Sequence, residues 1–228
     1  MRRGHIPGRL IPLLLLAGCT TAPSDLRKEA VELRAEGRLP EAVAAYGRLI
    51  RSLEGGDRES RLARMDALRE LGGMHASFGD PREAERAYGE ALLTAEADPR
   101  LPEESIINLR AQLAALSYRA GRNGEAAERY EVVLRMEQAA LGGDHPDVLA
   151  TMSILAGVLM KAGEVGRAEP LLRRQLELTA RIHGPTRRES AAVMDRLAEA
   201  LSRLGKETEA TQLRRNAEAI RKKLCDEC

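Results

Sequence analysis

Tryptophan is absent from this 228-residue chain, and other aromatic residues are scarce, with one Phe and four Tyr. A surface that stacks nucleobases needs rings, and 36 basic against 35 acidic residues leave no excess charge to draw in a phosphate backbone. Nucleic acid is therefore not an expected partner. The four histidines, His5, His75, His145 and His183, lie far apart and offer no metal-ligand spacing. No phosphate-cradling glycine loop, zincin helix or nucleophile elbow occurs, so no catalytic residue, metal or cofactor is expected. The chain also lacks the roughly 20-residue apolar run that crosses a bilayer as a helix; its longest such stretch is Leu10 to Ala17.

That short stretch follows Arg2, Arg3 and Arg9, the layout of a cleavable signal peptide. Its end, Leu16-Ala17-Gly18-Cys19, resembles the lipobox of bacterial lipoproteins. The resemblance implies that residues 1–18 are removed and that Cys19 becomes the acylated first residue, anchored stably because it carries several chains. Thr20 follows where an Asp would mark inner-membrane retention in that family, so the outer membrane, facing the periplasm, is the expected location where a cell has one. Loss of the leader takes three arginines and no acidic residue, leaving 33 basic against 35 acidic residues. A linker over residues 19–24 would hold the rest of the chain within roughly 20 Å of the membrane, at about 3.5 Å per extended residue.

What the remaining chain has in abundance is periodicity. Gly37, Gly79, Gly121, Gly163 and Gly205 stand 42 residues apart, and each is followed five positions later by Ala42, Ala84, Ala126, Ala168 or Ala210. A fixed period in this range marks a solenoid, whose units bury their apolar faces only against their neighbours. Each glycine lies between two stretches of helical periodicity, such as Leu155, Leu159 and Met160 before Gly163 and Leu171, Leu172 and Leu176 after it. The glycine closes the first helix, and Asp80-Pro81 carries the cap and first turn of a second. Leu71, Leu113, Leu155 and Leu197 precede Gly72, Ala114, Ala156 and Ala198 as large-small pairs that interlock helices, and Tyr46, Tyr88 and Tyr130 recur nine positions after the glycine. The alternating helices predict stacked hairpins with one continuous interior.

This combination resembles the tetratricopeptide repeat over residues 25–223. The stretch from Leu141-Gly142-Gly143-Asp144-His145-Pro146 through Ala168-Glu169-Pro170-Leu171-Leu172 is similar to the 42-residue variant of kinesin light chains. The resemblance implies an all-α, right-handed α-solenoid of about five helical hairpins, each about two turns longer in total than the common 34-residue unit. Glu29 in place of the leucine and Arg214 in place of the aromatic mark the first and last repeats as end units with one face in water. Gly184-Pro185-Thr186-Arg187 lacks the His-Pro of the preceding link.

The family also implies a concave groove lined by the first helix of each hairpin, at positions 13, 10, 6 and 3 before the turn glycine. Carried onto this sequence, these give Arg27, Val31 and Arg34; Asp66, Arg69 and Ala76; Asn108, Ala111 and Tyr118; Ser153 and Met160; and Asp195, Glu199 and Ser202. The Lys/Asn set by which some relatives clamp a terminal carboxylate is not assembled. An extended segment or amphipathic helix of a protein partner is the expected ligand, with cationic groups at the amino-terminal end of the groove and Asp195 and Glu199 at the other. The bland alternative for these positions is a solvated helix face. Cys225 and Cys228 form a C-x-x-C beside Asp226 and Glu227, read as a disulfide, an inert tail, or a metal or redox pair. The leading expectation is a lipid-anchored, non-enzymatic adaptor, against a thiol-active envelope enzyme or a self-assembling subunit; the oligomeric state is left open.

Overall fold

The computed structural model describes residues 21–226, and ten α-helices with no strand make up that region. They pair as hairpins: α1 (Pro23–Ala35) with α2 (Leu39–Ser52), α3 (Arg58–Phe78) with α4 (Pro81–Glu96), and α5 (Glu103–Arg119) with α6 (Asn123–Leu141). Then α7 (Pro146–Ala162) pairs with α8 (Val165–His183), and α9 (Arg188–Arg203) with α10 (Glu207–Asp226). Each helix packs chiefly on its neighbours in sequence, the connectivity of a solenoid.

One hydrogen-bonded device closes the first helix of every hairpin. The five turn glycines have φ between 74° and 82°. This lets the next residue's N–H turn back to the carbonyl four before the glycine: Arg38 to Leu33, Asp80 to His75, Arg122 to Ser117, Glu164 to Leu159 and Lys206 to Leu201, each at 2.9 Å. The second helix begins within two residues. At α4 the Asp80 carboxylate accepts from the Glu83 N–H at 3.3 Å ahead of Pro81. At α7 the cap is His145, whose Nδ1 accepts from the Asp147 N–H at 3.2 Å. Gly142 and Gly184, 42 residues apart, end α6 and α8 with φ of 85° and 99° and extended ψ, a region open in practice only to glycine. The missing His-Pro at the last link thus leaves its helix boundaries in step with the previous one.

The repeat alanines explain how closely the hairpins close. Ala42, Ala84, Ala126, Ala168 and Ala210 have no exposed surface at all, so each position accepts a methyl group and nothing more. Tyr46, Tyr88 and Tyr130 are buried, and Leu172 takes the same place in the fourth repeat. Gly72 stands where the other repeats place Ala, and a Cβ there would lie 2.9 Å from the Tyr88 ring, so this ring occupies the missing methyl's space. The interior differs from the single one expected: the buried apolar residues divide into two clusters that meet on α5, with Leu109 and Leu116 in the first and Ala114 in the second. A helix presents two faces to two neighbours, and α5 is where the change of face occurs. The helical region also extends further at both ends than 25–223, from Pro23 to Asp226.

Polar contacts between repeats keep the same register. Two residues before the turn glycine, a cation reaches back one repeat: Arg119 to the Ala76 carbonyl at 2.6 Å, Lys161 to the Tyr118 ring at 4.9 Å, and Arg203 to the Met160 carbonyl at 2.9 Å. Between second helices, Arg122 meets Glu85 at 2.9 Å and Lys206 meets Glu169 at 2.7 Å in equivalent positions. One further pair of positions is used with its charges exchanged. Glu131 meets Arg167 at 2.5 Å in one junction, and Arg173 meets Glu209 at 2.6 Å in the next.

A Cβ at Gly163 would meet nothing within 4 Å, so substitution there tests the backbone alone. Gly163→Ala is expected to cost about 1 kcal/mol in chemical denaturation, and Gly163→Asn less, because Asn tolerates the left-handed region better. Equal costs for the two would contradict this account of the turn.

Candidate functional site

The first helices of consecutive hairpins do not close fully on one another. Between them open crevices floored by the second helix of the earlier hairpin, and three recur along one wall. The first, about 330 Å³, lies among α1, α2 and α3 and brings together Arg27, Val31, Arg34, Asp66 and Arg69 with Tyr46 and Glu70. The second, about 470 Å³, lies among α5, α6 and α7 and contains Asn108. The third, about 370 Å³, lies among α7, α8 and α9 and contains Ser153. The second and third are built from equivalent repeat positions: Ile107, Glu137 and Leu141 in one correspond to Leu149, Thr179 and His183 in the other.

The remaining sequence-predicted residues are spread along the same first helices in local contacts. The backbone carbonyls of Ala76 and Met160 accept from Arg119 and Arg203, and Tyr118 lies under Lys161. Ser202 accepts from Arg214 at 2.6 Å and donates to Glu207 at 3.0 Å. Asp195 is held by Arg221 of α10 at 2.5 Å. Ala111 is half-buried and Glu199 exposed. Asp195 is thus an ion-paired carboxylate, and two of the basic residues on α10 serve to tie the end helix to α9.

The amino-terminal crevice is a mixed-charge site. Arg34 bonds to Glu70, Arg69 lies 3.5 Å from Glu70 and 3.8 Å from Asp66, and Arg27 has no ion pair among the described residues. Glu70 therefore balances much of the positive charge that the three arginines would otherwise project. Val31, half exposed, supplies an apolar contact. Burial, with the Glu70 charge nearby, pushes the Tyr46 phenol up, so it faces the crevice as a neutral hydroxyl.

Polar groups without partners among the described residues floor the other two crevices. Glu137 is 8% exposed, and its Oε2 has no hydrogen-bond partner there. Burial pushes its carboxyl up from the ordinary range, only partly offset by the Thr151 hydroxyl, with the nearby Asp147 adding to the rise. In the third crevice the Gln175 Oε1 and Thr179 Oγ1 are buried and unpartnered. Beside them Arg196 donates to the Ser153 Oγ at 2.6 Å and pairs with no carboxylate among the described residues; its guanidinium is pulled below its usual pKa by burial. Most buried polar groups in a folded protein are satisfied; of the five buried unpartnered side-chain atoms among the described residues, the three oxygens lie on these two crevice floors, and the other two are the Arg64 and Arg110 Nε.

Sequence reasoning passed over Glu70, Glu137, Gln175, Thr179 and Arg196, although the repeat carried a signal for three of them. Gln175 occupies the register of Leu49, Ala91 and Val133, and Glu137 and Thr179 that of Leu53 and Ala95. A polar residue where earlier repeats place an apolar one is the mark that was available.

Cys19 lies outside the described residues, as does Cys228. Cys225 is an exposed thiol in the last turn of α10, and the expected disulfide partner, Cys228, is among the residues outside the described region. Among the described residues, no group of three His, Cys, Asp or Glu side chains could hold a metal ion, and no helix is long and apolar enough to cross a membrane.

Tetratricopeptide-repeat models match residues 107–147 and 147–223. No curated protein matches the chain in sequence. Among solved structures, a Podosopora anserina kinesin-light-chain-type protein with nearly identical TPR-like repeats superposes with a TM-score of 0.70 at 24% identity, covering 90% of this chain and 98% of that one. MamA superposes with a TM-score of 0.63 at 13% identity, covering 90% and 94%. BtubC (BKLC) from P. vanneervenii does so at 0.52 and 19%, covering 87% and 92%. At these identities the likeness is one of fold.

The raised pKa of Glu137 sets the sign of a pH effect. The folded state holds this proton more tightly than the unfolded chain, so its contribution falls as pH rises through the ordinary carboxylate range and stays unfavourable above the folded value. Glu137→Gln is therefore expected to melt higher than the parent at pH 7, with the gap closing as the pH drops below about 4. A variant that melts lower at pH 7 would refute the reading of a strained carboxylate.

Proposed function

Because the chain is a tetratricopeptide-repeat protein, we propose that it is a lipid-anchored adaptor of the bacterial cell envelope, a scaffold of protein–protein interaction. The observation that carries the adaptor reading is the row of like crevices along one wall, opened in register by the repeat and floored in two cases by unpartnered polar groups. Such a wall suits an extended segment of another protein, with separate pockets for separate side chains. Among the described residues, no group of three His, Cys, Asp or Glu side chains on it could hold a metal ion.

The anchor rests on Leu16-Ala17-Gly18-Cys19 and the short apolar stretch before it. Since α1 begins at Pro23, an acylated Cys19 leaves only about 14 Å of extended chain before the solenoid, at about 3.5 Å per residue. This adaptor would work close against a bilayer surface, and the Thr following Cys19 favours the outer membrane of a two-membrane cell. The exposed Cys225 thiol lies in the last turn of α10, away from the three crevices, and we rank a thiol enzyme below the adaptor.

Two measurements test the two halves separately. Cells fed an alkyne fatty acid are expected to label the wild-type protein and not Cys19→Ser, with only the wild type partitioning into detergent on phase separation. An unlabelled wild type with its leader intact would overturn the anchor. A photo-crosslinking residue at Asn108 or Ser153 is expected to trap one discrete partner protein in intact cells, and the same residue at the exposed Leu93 of α4 to trap none. Equal trapping at all three positions would overturn the adaptor site.

A further inference from the structure

The second and third crevices are adjacent, share Ala150 of α7, and carry opposite electrical demands. Glu137 floors the second with a carboxylate oxygen that nothing among the described residues satisfies, and the exposed carboxylates of Glu104 and Asp147 line the same space. Arg196 lines the third with a guanidinium that bonds to a hydroxyl and forms no ion pair among those residues, next to the unpartnered Gln175 and Thr179 oxygens; the exposed Glu189 is the one carboxylate lining that crevice, against three in the second. Elsewhere on this protein arginines are heavily paired with carboxylates in ladders between repeats. Here one buried anion and one half-buried cation are each left waiting, one repeat apart.

We propose that the paired crevices bind a segment of partner protein in which a lysine or arginine enters the Glu137 crevice and an aspartate or glutamate enters the Arg196 crevice. This rests on the adaptor reading and specifies its ligand. A buried carboxylate gains most from a cation with N–H donors, since charge-assisted hydrogen bonds are the strong ones and their cost in desolvation is already met on one side. A guanidinium offers two parallel donors to a carboxylate, and the Arg196 side chain uses one of its nitrogens on Ser153. The crevices lie on either side of α7, so their separation is about one helix diameter, roughly 10 Å. An extended peptide covers that in about three residues at ~3.3 Å each. The ligand therefore carries its basic and acidic side chains three to four residues apart. A segment with both charges of one sign would leave one crevice facing a like charge, which gives the site selectivity as well as affinity.

The test is selection of a displayed library of random 12-residue peptides on the full chain, run in parallel on Glu137→Gln and Arg196→Gln. Both variants remove the charge and keep a polar side chain, and thermal melting confirms that each is folded. The wild type is expected to enrich peptides with a basic and an acidic residue three to four positions apart. The Glu137→Gln selection is expected to lose the basic preference alone, and the Arg196→Gln selection the acidic preference alone. The most enriched peptide should bind each variant about ten- to a hundredfold more weakly by fluorescence anisotropy. Enriched peptides with no such charge pair, or with affinities indifferent to both substitutions, would overturn this inference while leaving a peptide-binding adaptor in place. A library from which the full chain enriches nothing would count against both.

Discussion

The bond from the residue after each turn glycine back to the carbonyl four before it is the constraint on which the rest of the molecule depends. It ends the first helix at a fixed residue and aims the second across it within two residues. Because the five closures stand 42 residues apart, everything counted from them recurs in space as well as in sequence: the fully buried alanines, the buried tyrosines, and the cations that reach back one repeat. A helix end that drifted by one residue would rotate the following helix by about 100° and turn its apolar stripe away from its neighbour. The crevices are a product of the same register, since they form where the first helices of successive hairpins splay from the second.

The architecture was almost wholly legible in the sequence, because a solenoid repeats its instructions. Hairpin number, turn positions, the Asp80 cap and the tight Ala contacts each follow from a residue type at a repeated place. Two features escaped. The division of the core on α5 depends on which face of Leu109, Ala114 and Leu116 meets which neighbour, a matter of rotation that periodicity alone leaves open. The cap at His145 depends on a ring nitrogen accepting a backbone hydrogen, which a Pro-flanked His does not announce.

The candidate site was legible in outline only. Repeat counting placed Arg27, Val31, Arg34, Asp66 and Arg69, and those five do share one crevice. The same counting treated each position as if its chemistry were free, whereas Asp195 and Arg34 are already engaged by Arg221 and Glu70. Pairing is a property of two elements at once, and a single-helix face cannot report it. The groups left without an ionic partner among the described residues, Glu137 and Arg196, sit outside the counted positions. They stand out only when burial and partners are known together.

The exchange of charge between successive junctions bears on how such an array can change over generations. Tandem repeats lose or gain units by recombination in steps of their period, and 42 residues here is one whole hairpin. Excision of the fourth hairpin would bring the third against the fifth, setting Glu131 opposite Glu209 where each now faces an arginine. Each contact is worth only a fraction of a kcal/mol at the surface, yet the sign reverses from attraction to repulsion. The units share a shape without being interchangeable, and the chain's length is guarded by the order of its charges.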